Sequence, residues 1–264
     1  MSIQKIPVDA IQKIQKYVQQ VLNIPESENR PRFPSSLEEL DDGDAPDSLD
    51  ALGDWFKAAS VIEADSPAPN VEGSWFLSSI NPGDALLKLP GLRLKPGFRL
   101  VTYLNRNGKD GVGATWAVPE EMSTTALLEV AIGRSGDRHQ PPHPEGALPD
   151  VMLATTGDRS PASFVVASIL ARELRELGAL GTSCNWSVHR LVQALPTQVK
   201  WDWQVAAIQD LSPKVRIFPD GRAAVEFFTC RVAAPINLFR HLDQYPASSY
   251  QPTHADRVVA IATR

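Results

Sequence analysis

The clearest apolar periodicity in the chain lies between residues 184 and 232. Cys184, Trp186, Val188 and Val192 alternate with Asn185, Ser187, His189 and Gln193, and Val199, Trp201, Trp203, Val205 and Ala207 alternate with Lys200, Asp202 and Gln204. A two-residue repeat belongs to a strand with one buried face, so two adjacent strands are expected here. Residues 215–218 and 223–232 flank Pro219-Asp220-Gly221-Arg222, where proline presets φ and glycine supplies the positive φ of a tight turn. Together the four segments predict an antiparallel meander with a Trp-rich face.

Helical periods dominate the first quarter. Ile11, Ile14, Val18, Val21 and Leu22 form one stripe behind a candidate cap at Asp9, and Pro25 ends it. Its polar face is mostly glutamine, which suits packing against its own domain better than binding an anionic membrane. Ser48 is placed to cap a second helix reaching about residue 63, with Leu49, Leu52, Ala59 and Ile62 inward. Residues 26–47 between them are acid-rich and interrupted by proline, as expected of a solvated connection. These parts make a helical N-terminal unit over 1–64, and a Pro-containing linker joins it to an α+β domain over 71–264 with a candidate break at 133–149.

Within that domain, 73–79 reads as a first strand, and 98–104 with 113–118 forms a hairpin across Asn107-Gly108. A short helix is expected from Pro119 to about Ile132, followed by a long loop at 133–149 that carries four prolines and two histidines. Next come a buried strand at 150–154 and a helix capped by Ser160, with Pro161 at its first position and Gly178 at its end. After the meander, Ile236, Phe239 and Leu242 suggest a helix over 235–243, and 257–262 a last strand. Runs of strands bounded by helices describe an α+β fold with helices on one face of an antiparallel sheet. The chain has no internal repeat.

Composition narrows the function classes. With 264 residues and 43% apolar content the chain can bury a sizeable core. No run approaches the roughly 20 apolar residues that span a bilayer, and the first residues lack the apolar core of a signal peptide, so no membrane span and a cytoplasmic location are expected. The net charge of −5 disfavours a nucleic-acid partner. Ten acids against two bases in 26–54 carry that excess, leaving the rest mildly basic. Cys184 and Cys230 are too few for a disulfide framework or a zinc site and read as small buried side chains.

Candidate chemistry is sparse. His139 and His143 are four apart, but Pro141 and Pro142 forbid the helix that would align them, and no ligand set completes a metal site. The 155–160 turn joins a strand to a helix N-terminus. Thr156, Gly157, Arg159 and Ser160 could offer N–H groups and a cation to a small anion there, although the single glycine falls short of a nucleotide fingerprint. His189 could face Asp202 on the next strand, the arrangement that orients a general base, with Ser187 a weak nucleophile. Trp186, Trp201 and Trp203 could stack on a ligand, but their valine neighbours make them core by default. By elimination the expected function is that of a non-catalytic accessory or assembly factor that binds another protein, with no cofactor. The alternative is an enzyme or an anion-binding protein with a pocket between sheet and helices.

Overall fold

The computed structural model describes residues 2–29, 71–195 and 199–263. Its first half contains β1 (Ser2–Lys5), α1 (Val8–Val21), α2 (Glu26–Asn29), β2 (Trp75–Leu77), β3 (Leu92–Leu94), β4 (Phe98–Asn107), β5 (Asp110–Pro119) and α3 (Thr125–Gly133). The second half adds β6 (Thr155–Gly157), α4 (Pro161–Arg175), β7 (His189–Leu191), β8 (Lys200–Trp203), β9 (Lys214–Ile217), β10 (Ala223–Arg231), β11 (Asn237–Tyr245) and β12 (Thr253–Thr263).

The fold is α+β and is built around α4. Ser160 caps the helix by accepting from the Ser163 N–H, Pro161 occupies the first turn, and Gly178 follows the helix with φ +87°. Apolar residues lie all round it, as in a helix with neighbours on every side: Phe164, Val165, Val166, Ile169 and Leu170 are all buried. Among the described residues, seven strands form a curled antiparallel sheet against α4, in the order β1-β9-β10-β11-β12-β8, with β7 continuing beyond β9 along the same edge of β10. On another side α1 packs along α4, and Val8, Ile11, Val18 and Leu22 join the same core cluster. No helix among the described residues is long and apolar enough to cross a membrane.

A smaller sheet, β2-β4-β5, lies beside the end of α4. The β4–β5 hairpin is in register from Phe98 opposite Pro119 to Asn107 opposite Asp110. It meets the segment after α4 at unusually close range. A Cβ on Gly113 would overlap the Leu177 carbonyl, and one on Gly178 would crowd Leu104 and Gly113. Arg106, fully buried, fixes this junction by donating from Nη1 to the Gly178 carbonyl at 2.6 Å, from Nε to the Glu28 carbonyl at 3.0 Å and from Nη2 to Asn29 Oδ1 at 3.2 Å. Burial pulls its pKa down to about 10, against the opposing pull of the nearby Glu28 carboxylate.

Several expected elements differ. Residues 235–243 are not a helix, because Asn237–Tyr245 is the strand β11; its inward residues His241 and Asp243 are polar, which hid the alternation and left three apolar residues at helical spacing. The meander runs through β9, β10, β11 and β12 rather than beginning at 184. Trp186–Val188 is a 3-10 turn, β7 pairs with β10, and β8 pairs with β12 on the far side of β11. Residues 151–154 form a 3-10 turn capped by Asp150, and the strand begins only at Thr155. Pro7, not Asp9, precedes α1. At the start of the expected solvated connection, Glu28 is buried and accepts from Ser78 Oγ at 2.6 Å and Ser79 N at 2.9 Å. The rest of that connection, and the helix expected at 48–63, lie outside the described residues.

Candidate functional site

His189 and Asp202 are not neighbours. β7 and β8 are separated by β10, β11 and β12, and Asp202 is exposed, accepting from Gln204 Nε2 at 2.9 Å. His189, expected on the solvated face, is 5% exposed and points inward. Trp186 is buried against it, with ring centroids 5.7 Å apart, whereas Trp201 and Trp203 are half-buried on the outer face with Phe228 and Leu238.

At the 155–160 turn, Thr156 lies opposite Arg93 in the β3–β6 pair, and Gly157 is close-packed on the Gly91 carbonyl. Arg159 adopts φ 59°, and its guanidinium donates to the carbonyls of Gly221 and Pro246 at 2.8 Å and of Ser249 at 3.1 Å. It thereby ties the loops at 218–222 and 246–252 to the start of α4. The Asp158 carboxylate accepts from the Ser160 N–H at 2.9 Å, so an acid rather than a free cation sits at this helix N-terminus. His139 and His143 are both exposed, and the His143 ring meets Trp116 edge-on at 4.5 Å. Cys230 is buried, which pushes its thiol pKa up, and Cys184 is half-buried.

The polar groups that do converge come from elsewhere. His241-Leu242-Asp243 on β11 and His254-Ala255-Asp256 on β12 are two copies of one three-residue pattern, and the antiparallel register sets His241 opposite Asp256 and Asp243 opposite His254. His241 Nδ1 lies 2.8 Å from Asp256 Oδ1, and His254 Nδ1 lies 2.7 Å from Asp243 Oδ1. Arg172, from the last turns of α4, supplies the cation between the two acids. It meets Asp243 with both terminal nitrogens, at 2.5 and 2.8 Å, and Asp256 at 2.9 Å. Trp186 and Phe227 lie against its guanidinium at 5.5 and 4.9 Å.

From His241 the chain of hydrogen bonds runs deeper. Its Nε2 is 2.7 Å from Thr229 Oγ1, which is 2.7 Å from His189 Nδ1. One assignment satisfies the series: His189 Nδ1–H donates to Thr229, Thr229 O–H donates to His241 Nε2, and His241 Nδ1–H donates to Asp256. Both imidazoles are then neutral. Burial lowers the His189 pKa to about 4, helped by the repulsion it would meet from a protonated His241 and from the Arg231 cation. Burial likewise lowers that of His241 against the pull of Asp256. For Asp256, burial opposes ionisation, but the His241 hydrogen bond and the Arg172 charge outweigh it and hold the carboxyl well below the usual range. Asp243 is depressed in the same way by His254 and Arg172. Thr229, His241 and Asp256 have the hydrogen-bond order of a hydroxyl–imidazole–carboxylate triad, but the accessible end is reversed. Thr229 is fully buried and the acid stands at the mouth, so the hydroxyl has no route to a substrate.

The acid opens into a cleft of about 270 Å³ between β5 and the end of α4, lined in part by Gly113, Arg172, Arg175, Glu176, Trp186 and Asp256. Asp256 is 43% exposed here, and its Oδ2 has no partner among the described residues. The guanidinium of exposed Arg175 likewise makes no hydrogen bond or ion pair among them. Glu176 is already engaged, accepting from the N–H groups of Asn185, Trp186 and Ser187. The cleft therefore carries one carboxylate oxygen, Asp256 Oδ2, and one guanidinium, that of Arg175, without partners among the described residues.

The sequence held a readable sign of this site. Arg172 interrupts the apolar face of α4, and the paired His-x-Asp patterns are 13 residues apart across a turn, but each looked like ordinary polar surface without the register. No protein-family model, curated protein or solved structure matches the chain.

Proposed function

We propose that the protein binds a small zwitterionic ligand of the amino-acid type in the cleft at the end of α4. The observation that carries this reading is the unengaged Asp256 oxygen, held ionised by Arg172 and His241 and facing the same 270 Å³ space as the unengaged Arg175 guanidinium. A fixed carboxylate selects an ammonium donor, and a free guanidinium selects a carboxylate. The supporting network costs the ligand nothing to organise, because Arg172 and His241 are already locked by burial and hydrogen bonds. Chemistry on the bound molecule is not required, and the sealed hydroxyl of Thr229 favours binding over hydrolysis.

The competing reading, a non-catalytic accessory factor that docks on another protein, draws on Leu127 and Val130. They are 42% and 49% exposed and one helical turn apart on α3. It draws less on α1, whose apolar stripe is engaged by α4.

Isothermal titration with L-alanine, ethylamine and propionate separates the cases. Alanine is expected to bind more tightly than either single-charge analogue, and Asp256→Asn and Arg175→Gln are each expected to weaken it by roughly tenfold or more, as loss of a charge-assisted hydrogen bond does. Absence of alanine binding, or equal binding by both variants, overturns the reading.

A further inference from the structure

We infer that the ligand's third group is a large apolar side chain, received by a trough that continues from the charged cleft along β5. This inference rests on the zwitterion reading and adds specificity to it. A second cleft of about 290 Å³ adjoins the first and shares Gly113 and Arg175 with it. Away from Arg175 its lining is mostly apolar, with Trp116, Pro141, Val151, Met152 and Leu174; the polar members are Thr115 and Asp150, whose carboxylate accepts from the Met152 N–H at 2.7 Å. An α-amino acid branches at one carbon into an ammonium, a carboxylate and a side chain. The two clefts offer the matching three regions: Asp256 at one end, Arg175 at the junction and the apolar trough beyond.

The walls of the trough are held by the core rather than by loop side chains alone. Met152 is 2% exposed and Leu174 5% exposed, both within the main hydrophobic cluster, and the Leu148 N–H donates to the Ala117 carbonyl at 2.9 Å, stitching the long loop onto β5. The long loop at 133–149 thus contributes Pro141 and Pro149 to one wall. Trp116 brings a buried indole N–H that has no acceptor among the described residues. A side chain that fills the trough excludes water from apolar surface, and each methylene added should register separately.

The test is isothermal titration of the full chain with glycine, L-alanine, L-2-aminobutyrate, L-norvaline and L-norleucine, which share the zwitterion and differ by one carbon at each step. The expected result is a rise in affinity of roughly fourfold per methylene, and Val151→Asp, which puts a charge in the trough wall, is expected to flatten that rise. Equal affinity along the series overturns the trough and leaves the zwitterion site standing. Failure of every member to bind removes the zwitterion site, and this inference with it.

Discussion

The inner face of the large sheet has two halves under one helix, and they are built on opposite principles. Toward the start of α4, Phe164 packs on Tyr245 with ring centroids 5.0 Å apart in the cluster that also holds Ala223 and Val225, and hydroxyls there are satisfied locally, as where Ser168 Oγ and Tyr245 Oη lie 2.7 Å apart. Toward the end of α4, the same strands present Thr229, His241, Asp243 and Asp256 to Arg172. The first half tolerates changes of shape at the cost of volume. The second must conserve charge, because removing one member leaves another ionised group buried without compensation. The difference is the ground for the proposed ligand site: a face that could have been finished with apolar residues instead keeps an ionised carboxylate at its edge, where the sheet opens.

The sharpest break of this comparison comes from two deletions of similar cost and different kind. Phe164→Ala should destabilise by about 3 to 5 kcal/mol through the cavity it leaves, equally at pH 7 and pH 5. Arg172→Leu should also cost about 3 to 5 kcal/mol at pH 7, but by stranding Asp243. Without the guanidinium, burial raises the Asp243 pKa, so the carboxyl takes up a proton as pH falls and the penalty shrinks toward pH 5. Urea unfolding of both variants at the two pH values measures this. A pH-independent cost for Arg172→Leu means that the two halves are the same kind of core.

A smaller effect sharpens the same contrast in the parent protein. The His189 pKa falls from 6.5 to about 4 in the fold, so between those values the unfolded chain binds more protons than the native one. Stability contributed by the neutral ring is complete above about pH 6.5 and is lost as pH drops toward 4, a change on the order of 2 kcal/mol. The depressed carboxyls of Asp243 and Asp256 keep their contribution throughout this window and lose it only at lower pH. His189→Phe should reduce the slope in a series of melting curves from pH 7 to pH 4, with His241, whose pKa burial also lowers, carrying part of what is left. An unchanged slope assigns the acid sensitivity to another group.

Legibility from the sequence followed the same divide. α4, the β4–β5 hairpin and the turn at Gly221 were readable because local rules alone specify them: Ser-Pro at a helix start, Asn-Gly between alternating strands, Pro-Asp-Gly-Arg between two more. β11 was misread as a helix, since Asn237–Tyr245 buries polar residues and its period cannot be seen in hydropathy. The candidate site was missed for a related reason. Arg172 is 71 residues from Asp243, and what joins them is the choice of strand partner, which no local pattern encodes. His189 is expected from the sequence opposite Asp202 on β8, whereas its hydrogen bond goes to Thr229 on β10.

A ligand bound across the two clefts beside α4, as proposed, would be reported directly by the tryptophans. The chain has six, of which Trp186 lines the charged cleft, Trp116 lines the apolar trough, and Trp201 and Trp203 lie on the opposite face of the sheet. In a ¹H–¹⁵N spectrum titrated with L-norleucine, the indole signals of Trp116 and Trp186 are predicted to move together and saturably, while those of Trp201 and Trp203 stay fixed. Movement of Trp201 and Trp203 with Trp116 and Trp186 unshifted would contradict the account.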